Sequence, residues 1–163
     1  MIKQLITQQA EYNLWANTKF AELLKDEPVE LLNKEIKSSF HSINKTLFHI
    51  WDAEFIWLER LNGRSLNSFP SKEKDAQFSF EGMLKTSKDL LKLIELAEEN
   101  YFLKETTYRN IKGDEFTSVN QGILLHVFNH GTFHRGQVVT MLRGENFSNK
   151  IDSTDLISFL REK

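Results

Sequence analysis

Apolar side chains recur every three or four residues in four long segments of the chain, which is the spacing of one face of an α-helix. The first segment runs from about Lys3 to Lys25 and stops ahead of Pro28. The polar stretch from Val29 to Phe40 predicts a loop with at most one short turn. The first long helix is therefore expected to reach the second through an irregular connection.

The second and third predicted helices have recognisable ends. Ser42 precedes an apolar stripe that ends near Leu61, and a serine there can cap a helix by accepting a backbone hydrogen bond. Gly63 then stands where a helix uses a left-handed C-terminal cap. After a crossing loop from Arg64 to Gln77, Ser79 opens the third helix.

The spacing changes between the third and fourth helices. Thr106–Tyr108 and Glu115–Thr117 are β-prone, and they flank Lys112-Gly113-Asp114, which is typical of a turn. The pattern predicts a short hairpin or extended excursion.

The fourth predicted helix begins with the capping-box pattern Ser118-Val119-Asn120-Gln121 and ends with a second glycine signal at Gly144. A last short helix is expected to start near Ser153 or Thr154. Together these elements predict an all-α fold: a four-helix bundle with long crossover connections, the hairpin-like excursion before helix four, and a short C-terminal helix. Residues 1–163 are expected to form a single domain.

Composition narrows the possible functions. The chain has 163 residues, a formal net charge of -2 and no cysteine. A nearly neutral chain without a basic face argues against nucleic-acid binding, and a chain without cysteine has no thiolate metal ligand and no cysteine nucleophile. No apolar run approaches the roughly 20 residues of a membrane-spanning helix, and no signal peptide is visible. We expect a cytoplasmic protein.

Candidate chemistry lies in the histidines. Five occur, at positions 41, 49, 126, 130 and 134, and the last three are spaced four apart on the predicted fourth helix. Residues four apart lie on one helix face, so two imidazoles can share an ion. The outer two of three such residues diverge and lie about 12 Å apart along the axis. One helix therefore supplies two ligands, and His49 is the best candidate for the third. The alternative is that His130 and His134 are ordinary packed or solvated residues.

Other polar residues near these histidines have open interpretations. His126 either packs near the site or hydrogen-bonds a ligand's second ring nitrogen. Asp52 either orients an imidazole or lies at the surface, and Arg135 either forms an ion pair, lines the pocket mouth or is solvated. Gly136 suggests close helix packing, because glycine costs helix propensity. Gln137 either donates into the site or faces solvent.

Four segments of the chain resemble motifs of one family of helical-bundle metalloproteins. The segment His126–Gln137, with sequence HVFNHGTFHRGQ, resembles the signature helix of the DinB family. Ser42–Ile50 is similar to that family's helix-two motif, Tyr12–Asn17 to its first-helix motif, and Thr154–Leu160 to its final segment. The likeness spans nearly the whole chain in family order.

The resemblance implies a metal triad of His49, His130 and His134, with zinc or nickel as the ion and a homodimer as the assembly. Characterised relatives include metal-dependent transferases that act with bacillithiol or mycothiol, and thiol-dependent isomerases. The first hypothesis is therefore an S-transferase that activates a low-molecular-weight thiol to attack electrophiles in detoxification or stress response. A metal-dependent hydrolase using bound hydroxide and a non-enzymatic, stress-related metal-binding bundle are the alternatives. A triad with an open coordination position favours chemistry over a purely structural site.

Overall fold

The computed structural model describes residues 1–162, most of which lie in helices. The helices of the described residues are α1 (Ile2–Leu24), α2 (Val29–Asn33), α3 (Ile43–Leu61), α4 (Phe80–Leu96), α5 (Asn120–Gly144) and α6 (Leu156–Glu162). Because the short α2 takes up the turn predicted after the first helix, the predicted helices two, three and four are α3, α4 and α5.

The predicted hairpin is present as a two-stranded antiparallel sheet. Strand β1 (Glu105–Arg109) pairs with β2 (Glu115–Val119), and Thr107 lies opposite Thr117. Gly113 in the connecting turn has a φ of 92°, in the left-handed region that favours glycine. The expected excursion before the fourth helix is confirmed, but the all-α class is too narrow: the chain is mostly helical with a small antiparallel sheet.

Three of the predicted helix ends are confirmed. The Ser42 hydroxyl accepts a hydrogen bond from the backbone N–H of Lys45 at 3.1 Å, and α3 begins at the next residue. Ser79 accepts from the Gly82 N–H at 3.2 Å in the same way. Gly63 has a φ of 79°, so the left-handed cap at the end of α3 is present.

The predicted start of the fourth helix is wrong, whereas its predicted end at Gly144 is confirmed without the left-handed cap. Ser118 belongs to β2, opposite Thr106, and α5 begins at Asn120 without a side-chain cap. The strand pairing continues through the residues that resembled a capping box, so the serine is used in the sheet. Gly144 is the last residue of α5, and the left-handed residue that follows the helix is Asn146, with a φ of 54°.

The long helices pack so that the buried apolar residues form two clusters. Helix α1 packs against α4 and α5, and α3 packs against the same two helices. The first cluster comprises Ile6, Ala10, Leu58, Leu61, Leu90, Ile94, Phe102, Ile123, Leu124, Val127 and Phe128. The second comprises Phe20, Leu24, Ile43, Leu47, Ile50, Val138, Met141 and Leu142. Along α1, α3 and α5 a stretch of buried polar residues lies between the two clusters.

The connections are longer than tight turns. Two of them contain short 3₁₀ segments, Pro70–Lys72 and Glu99–Leu103. Within residues 1–162, no helix combines the length and the apolar character that crossing a membrane requires.

Candidate metal centre

Three histidines from two helices converge in the polar layer between the apolar clusters. His49 comes from α3, and His130 and His134 come from successive turns of α5. One ring nitrogen from each histidine lies within 4.8 Å of the other two. The Nε2 atoms of His49 and His130 are 2.9 Å apart, and the ring centroids of His130 and His134 are 4.3 Å apart. The structure thus brings together the three residues that the sequence predicted as a metal triad.

Gln137 fixes the orientation of one imidazole. Its Oε1 lies 2.7 Å from Nδ1 of His134, one helical turn earlier on α5. The amide oxygen can only accept, so Nδ1 donates the hydrogen and Nε2 keeps its lone pair. Fixing the tautomer through the second ring nitrogen is how proteins commonly prepare a histidine to bind a metal. Of the two interpretations of Gln137, neither donation into the site nor exposure to solvent describes it, because it accepts from His134.

Burial keeps two of the imidazoles neutral. The pKa of His49 is lowered from 6.5 to about 4, first by burial and then by the neighbouring His134. The pKa of His130 is lowered from 6.5 to about 3, again chiefly by burial and then by the charges of the surrounding histidines. Both rings are therefore neutral near pH 7, which is the form that coordinates a metal ion.

An aromatic side chain from the loop before α3 covers the histidines. The Phe40 ring stacks on His49 with centroids 4.0 Å apart, and it meets His134 edge-on at 5.4 Å. The loop is closed by a hydrogen bond from the Ile36 N–H to the His41 carbonyl, and His41 takes a left-handed φ of 62°. The phenyl ring shields one side of the cluster from water.

The donor set fits one divalent ion. Two nitrogens held about 2.0–2.1 Å from a tetrahedral ion lie roughly 3.3 Å apart, close to the 2.9 Å between the Nε2 atoms of His49 and His130. The two Nε2 atoms share a hydrogen bond, so one of them carries the hydrogen that a cation would replace. The three histidines could therefore hold a metal ion, and imidazole suits zinc, nickel, copper and iron.

Two residues with open interpretations lie outside this cluster. His126 is exposed, and its ring packs near Trp57 and His130, with centroids 5.8 Å away in each case. It therefore packs near the site without joining the convergent nitrogens. Asp52 is buried and accepts hydrogen bonds from both the backbone N–H and the hydroxyl of Ser71. Both interpretations of Asp52, as a residue that orients an imidazole and as a surface residue, are therefore wrong. Burial raises the pKa of Asp52, and the Ser71 hydrogen bonds oppose that effect.

The interpretations of Arg135 and Gly136 are corrected. Arg135 is only 2% exposed and donates to Asn13 and Asn17 on α1, so it is neither solvated nor in a direct ion pair. The groove that it lines is formed with residues before α6 such as Asp155, and none of the three histidines is in the lining of that groove. A Cβ on Gly136 would meet no atom within 4 Å, so close helix packing does not explain that glycine.

Four residues around the site were not predicted from the sequence as functional. Phe40 stood in a segment predicted to be a loop, where periodicity says nothing about contacts. Asn13 and Asn17 are four residues apart on the buried stripe of α1, and Glu54 lies on the buried stripe of α3. A polar residue at a core position of a helical pattern was the available signal.

The part of the chain that contains the three histidines matches a known protein family. The sequence model of the DinB family matches residues 1–145, which include all three histidines. The chain belongs to the DinB family. It is similar to Protein DinB of Bacillus subtilis (strain 168), with 29% identity over 157 residues that cover 92% of this chain and 91% of that relative. The DinB-family resemblance found in the sequence is confirmed.

Proposed function

We propose that this DinB-family protein is a metal-dependent S-transferase that uses a low-molecular-weight thiol, of the bacillithiol kind, to attack electrophilic compounds. The observation that carries the proposal is the convergence of three imidazole nitrogens within 4.8 Å, without a carboxylate among them in the part of the chain that the structure describes. Proteins of this family resemble known thiol transferases, and the proposed metal ligands are His49, His130 and His134.

Charge favours an anionic fourth ligand at such a site. His49 and His130 are neutral near pH 7 because burial lowers their pKa values to about 4 and about 3. Neutral ligands leave the charge of a divalent ion uncompensated. When bound there, the ion supplies a positive charge that favours the thiolate form of a thiol at neutral pH.

The transfer itself is a substitution. The thiol sulfur forms a bond to the electrophilic carbon, and the bond from that carbon to its leaving group breaks with the electron pair on the leaving group. The thiol proton passes to solvent. The chain contains no cysteine, so the thiol must arrive as a second substrate.

A groove lined by Gln137, and by none of the three histidines, offers room for the electrophile. It encloses about 540 Å³ between the loop before α3 and one face of α5, with Ile36, Phe133, Gln137, Thr140 and Met141 in its lining. Gln137 connects the groove to the site, because it is hydrogen-bonded to His134. A mixed apolar and polar lining suits small organic electrophiles.

The acidic residues closest in sequence to His49 are engaged elsewhere. Asp52 is hydrogen-bonded to Ser71, and Glu54 to Asn13, Asn17 and Ser87. A hydrolase would use a general base beside the attacking water, so these contacts favour the thiol reaction over the hydrolytic one.

Metal content is the first test. Elemental analysis of protein purified without a histidine tag should give close to one zinc or nickel ion per chain. His130→Ala should lose most of it, whereas the matched variant His126→Ala, one turn earlier on the same helix, should keep it. Equal metal in wild type and His130→Ala would contradict the proposed triad.

Thiol conjugation is the second test. The protein should conjugate model electrophiles such as 1-chloro-2,4-dinitrobenzene with at least one member of a panel of low-molecular-weight thiols, and chelation should abolish the reaction. Turnover of ester or amide substrates without a thiol would instead indicate the hydrolase. Metal binding without either activity would indicate a non-enzymatic metal-binding protein.

The proposal includes the larger assembly. The packing of α1, α3, α4 and α5 supports a four-helix bundle, which we propose to be a single domain. We also propose a cytoplasmic homodimer, and sedimentation velocity tests the dimer directly.

A further inference from the structure

A second polar cluster, separate from the histidines, lies in the layer between the two apolar clusters. Its members come from four helices: Asn13 and Asn17 from α1, Glu54 from α3, Ser87 from α4 and Arg135 from α5. Each is at most 2% exposed. Burying an arginine and a glutamate in one core is costly unless their hydrogen bonds are satisfied, so this polar clamp calls for an explanation.

The hydrogen bonds of the polar clamp run in one direction from cation to anion. Nη1 of Arg135 donates to the side-chain oxygens of Asn13 and Asn17, at 2.8 and 2.9 Å. Both asparagine amides then donate to Oε1 of Glu54 at 2.8 Å, and the Ser87 hydroxyl donates to its Oε2 at 2.6 Å. Two neutral amides thus connect a buried guanidinium to a buried carboxylate.

The polar clamp and the histidines lie on neighbouring positions of the same two helices, α3 and α5. Arg135 directly follows His134, so its position is rotated by roughly 100° around α5 from the histidine. Glu54 follows His49 by five residues, which places it roughly 140° around α3 from that histidine. Both helices that carry histidines therefore also carry one charged end of the clamp.

Close packing around Gly131 restricts the rotation of α5 relative to the clamp. Gly131 directly follows His130, and a Cβ there would lie 2.9 Å from Nη1 of Arg135 and 3.0 Å from Oδ1 of Asn13. The α5 backbone thus approaches the clamp at the turn between the two α5 histidines. A rotation of α5 that moved the histidines would also break or compress these hydrogen bonds.

We propose that the polar clamp is a positioning device for the histidine site. It sets the rotation of α3 and α5 about their own axes, so that the three imidazoles converge. Apolar contacts alone tolerate small rotations, whereas a buried charge network that is broken leaves its charges unpaired. Metal sites need their ligands within about 0.5 Å and 10–20° of the working geometry. The inference rests on the proposed metal site.

A matched pair of asparagine variants tests the clamp. Asn13 and Asn120 are 1% and 2% exposed, and each side chain accepts one hydrogen bond and donates one. Asn120 anchors the start of α5 to Thr106 and Tyr101 and does not touch the clamp. Asn13→Ala and Asn120→Ala therefore each remove two hydrogen bonds of a buried asparagine, inside the clamp in the first case and outside it in the second.

The readouts are the Co²⁺ dissociation constant, the visible absorption spectrum of the Co²⁺ protein, and the unfolding of the metal-free protein. We expect Asn13→Ala to weaken Co²⁺ binding about tenfold and to alter the spectrum, as is typical for residues that orient ligands. Asn120→Ala should also destabilise the fold, but less than Asn13→Ala because its hydrogen-bond partners are neutral. It should leave the dissociation constant for Co²⁺ within about twofold of wild type. Equal effects of the two variants on Co²⁺ binding would overturn the inference.

Arg135 variants provide a second test. Arg135→Met should weaken Co²⁺ binding more than Asn13→Ala, and Arg135→Lys, which keeps the charge but only one donor group, should restore part of the affinity. If Arg135→Met does not fold, the asparagine pair decides the question alone. Wild type without Co²⁺ affinity would overturn the proposed function and this inference with it. Tight binding in wild type, Asn13→Ala and Arg135→Met alike would overturn this inference only.

Discussion

The two glycines in the histidine-bearing part of α5 should respond to alanine in opposite ways. Gly131 and Gly136 both lie in the interior of the helix. In such a position alanine stabilises relative to glycine by about 0.5–1 kcal/mol, since it reduces the freedom of the unfolded chain. At Gly136 the added methyl group would meet nothing within 4 Å. Gly136→Ala should therefore raise the free energy of unfolding by about that amount.

At Gly131 the same methyl group would be compressed. It would lie 2.9 Å from Nη1 of Arg135 and 3.0 Å from Oδ1 of Asn13, and Arg135 cannot move aside without giving up the hydrogen bonds of the clamp. Adding a methyl group to a filled core costs about 1–3 kcal/mol. After the helix preference is subtracted, Gly131→Ala should lower the free energy of unfolding by about 1 kcal/mol.

Urea unfolding of the metal-free proteins, followed by circular dichroism, measures both values. The decisive quantity is the difference between the two variants, which we expect to be about 2 kcal/mol with an unchanged slope against urea. A Gly131→Ala protein as stable as Gly136→Ala would refute the close approach of the α5 backbone to the clamp.

Three further predictions concern the histidines and a helix cap. Gln137→Leu should weaken metal binding by about 10–100-fold, because His134 loses the partner that fixes its tautomer; competition with a chromogenic chelator measures it, and unchanged affinity would contradict the role. Below pH 6.5 the unfolded chain protonates His49 and His130, whereas the folded chain resists until their pKa values of about 4 and about 3. The metal-free protein should therefore lose thermal stability as pH falls from about 7 to 4, and His49→Gln should flatten that loss. Ser42→Ala should cost about 1 kcal/mol of unfolding free energy in urea, because the Lys45 N–H loses its cap.

The helices could be predicted from the sequence because their signals are local. The apolar spacing of the first segment gave Lys3 to Lys25, and the helix runs from Ile2 to Leu24. Ser42 and Ser79 were correct caps, since the residues they bond lie only three positions ahead. The predicted cap at Ser118 was wrong because Ser118 pairs with Thr106 across the hairpin. That strand pairing cannot be recognised from a four-residue motif.

The histidine trio could be predicted for two reasons that agree. The spacing of four places His130 and His134 on one helix face and leaves His49 as the best third candidate, and the family resemblance implies the same three residues. The polar clamp could not be predicted, because it joins Asn13 to Arg135 across 122 positions of the chain. Which buried polar residues meet depends on helix packing, and helical periodicity gives no information about that.

The segment from His130 to Gln137 carries two adjoining faces of one helix. His130 and His134 present the imidazoles, while Gly131, after the first, packs against the polar clamp and Arg135, after the second, belongs to it. Gln137 lies one turn beyond His134 and holds its ring. Gly131 and Arg135 each make close contacts with Asn13, so a substitution in the clamp that rotates α5 would also move His130 and His134. The order of residue types in this short segment therefore reflects the geometry of the proposed site and of the core that supports it.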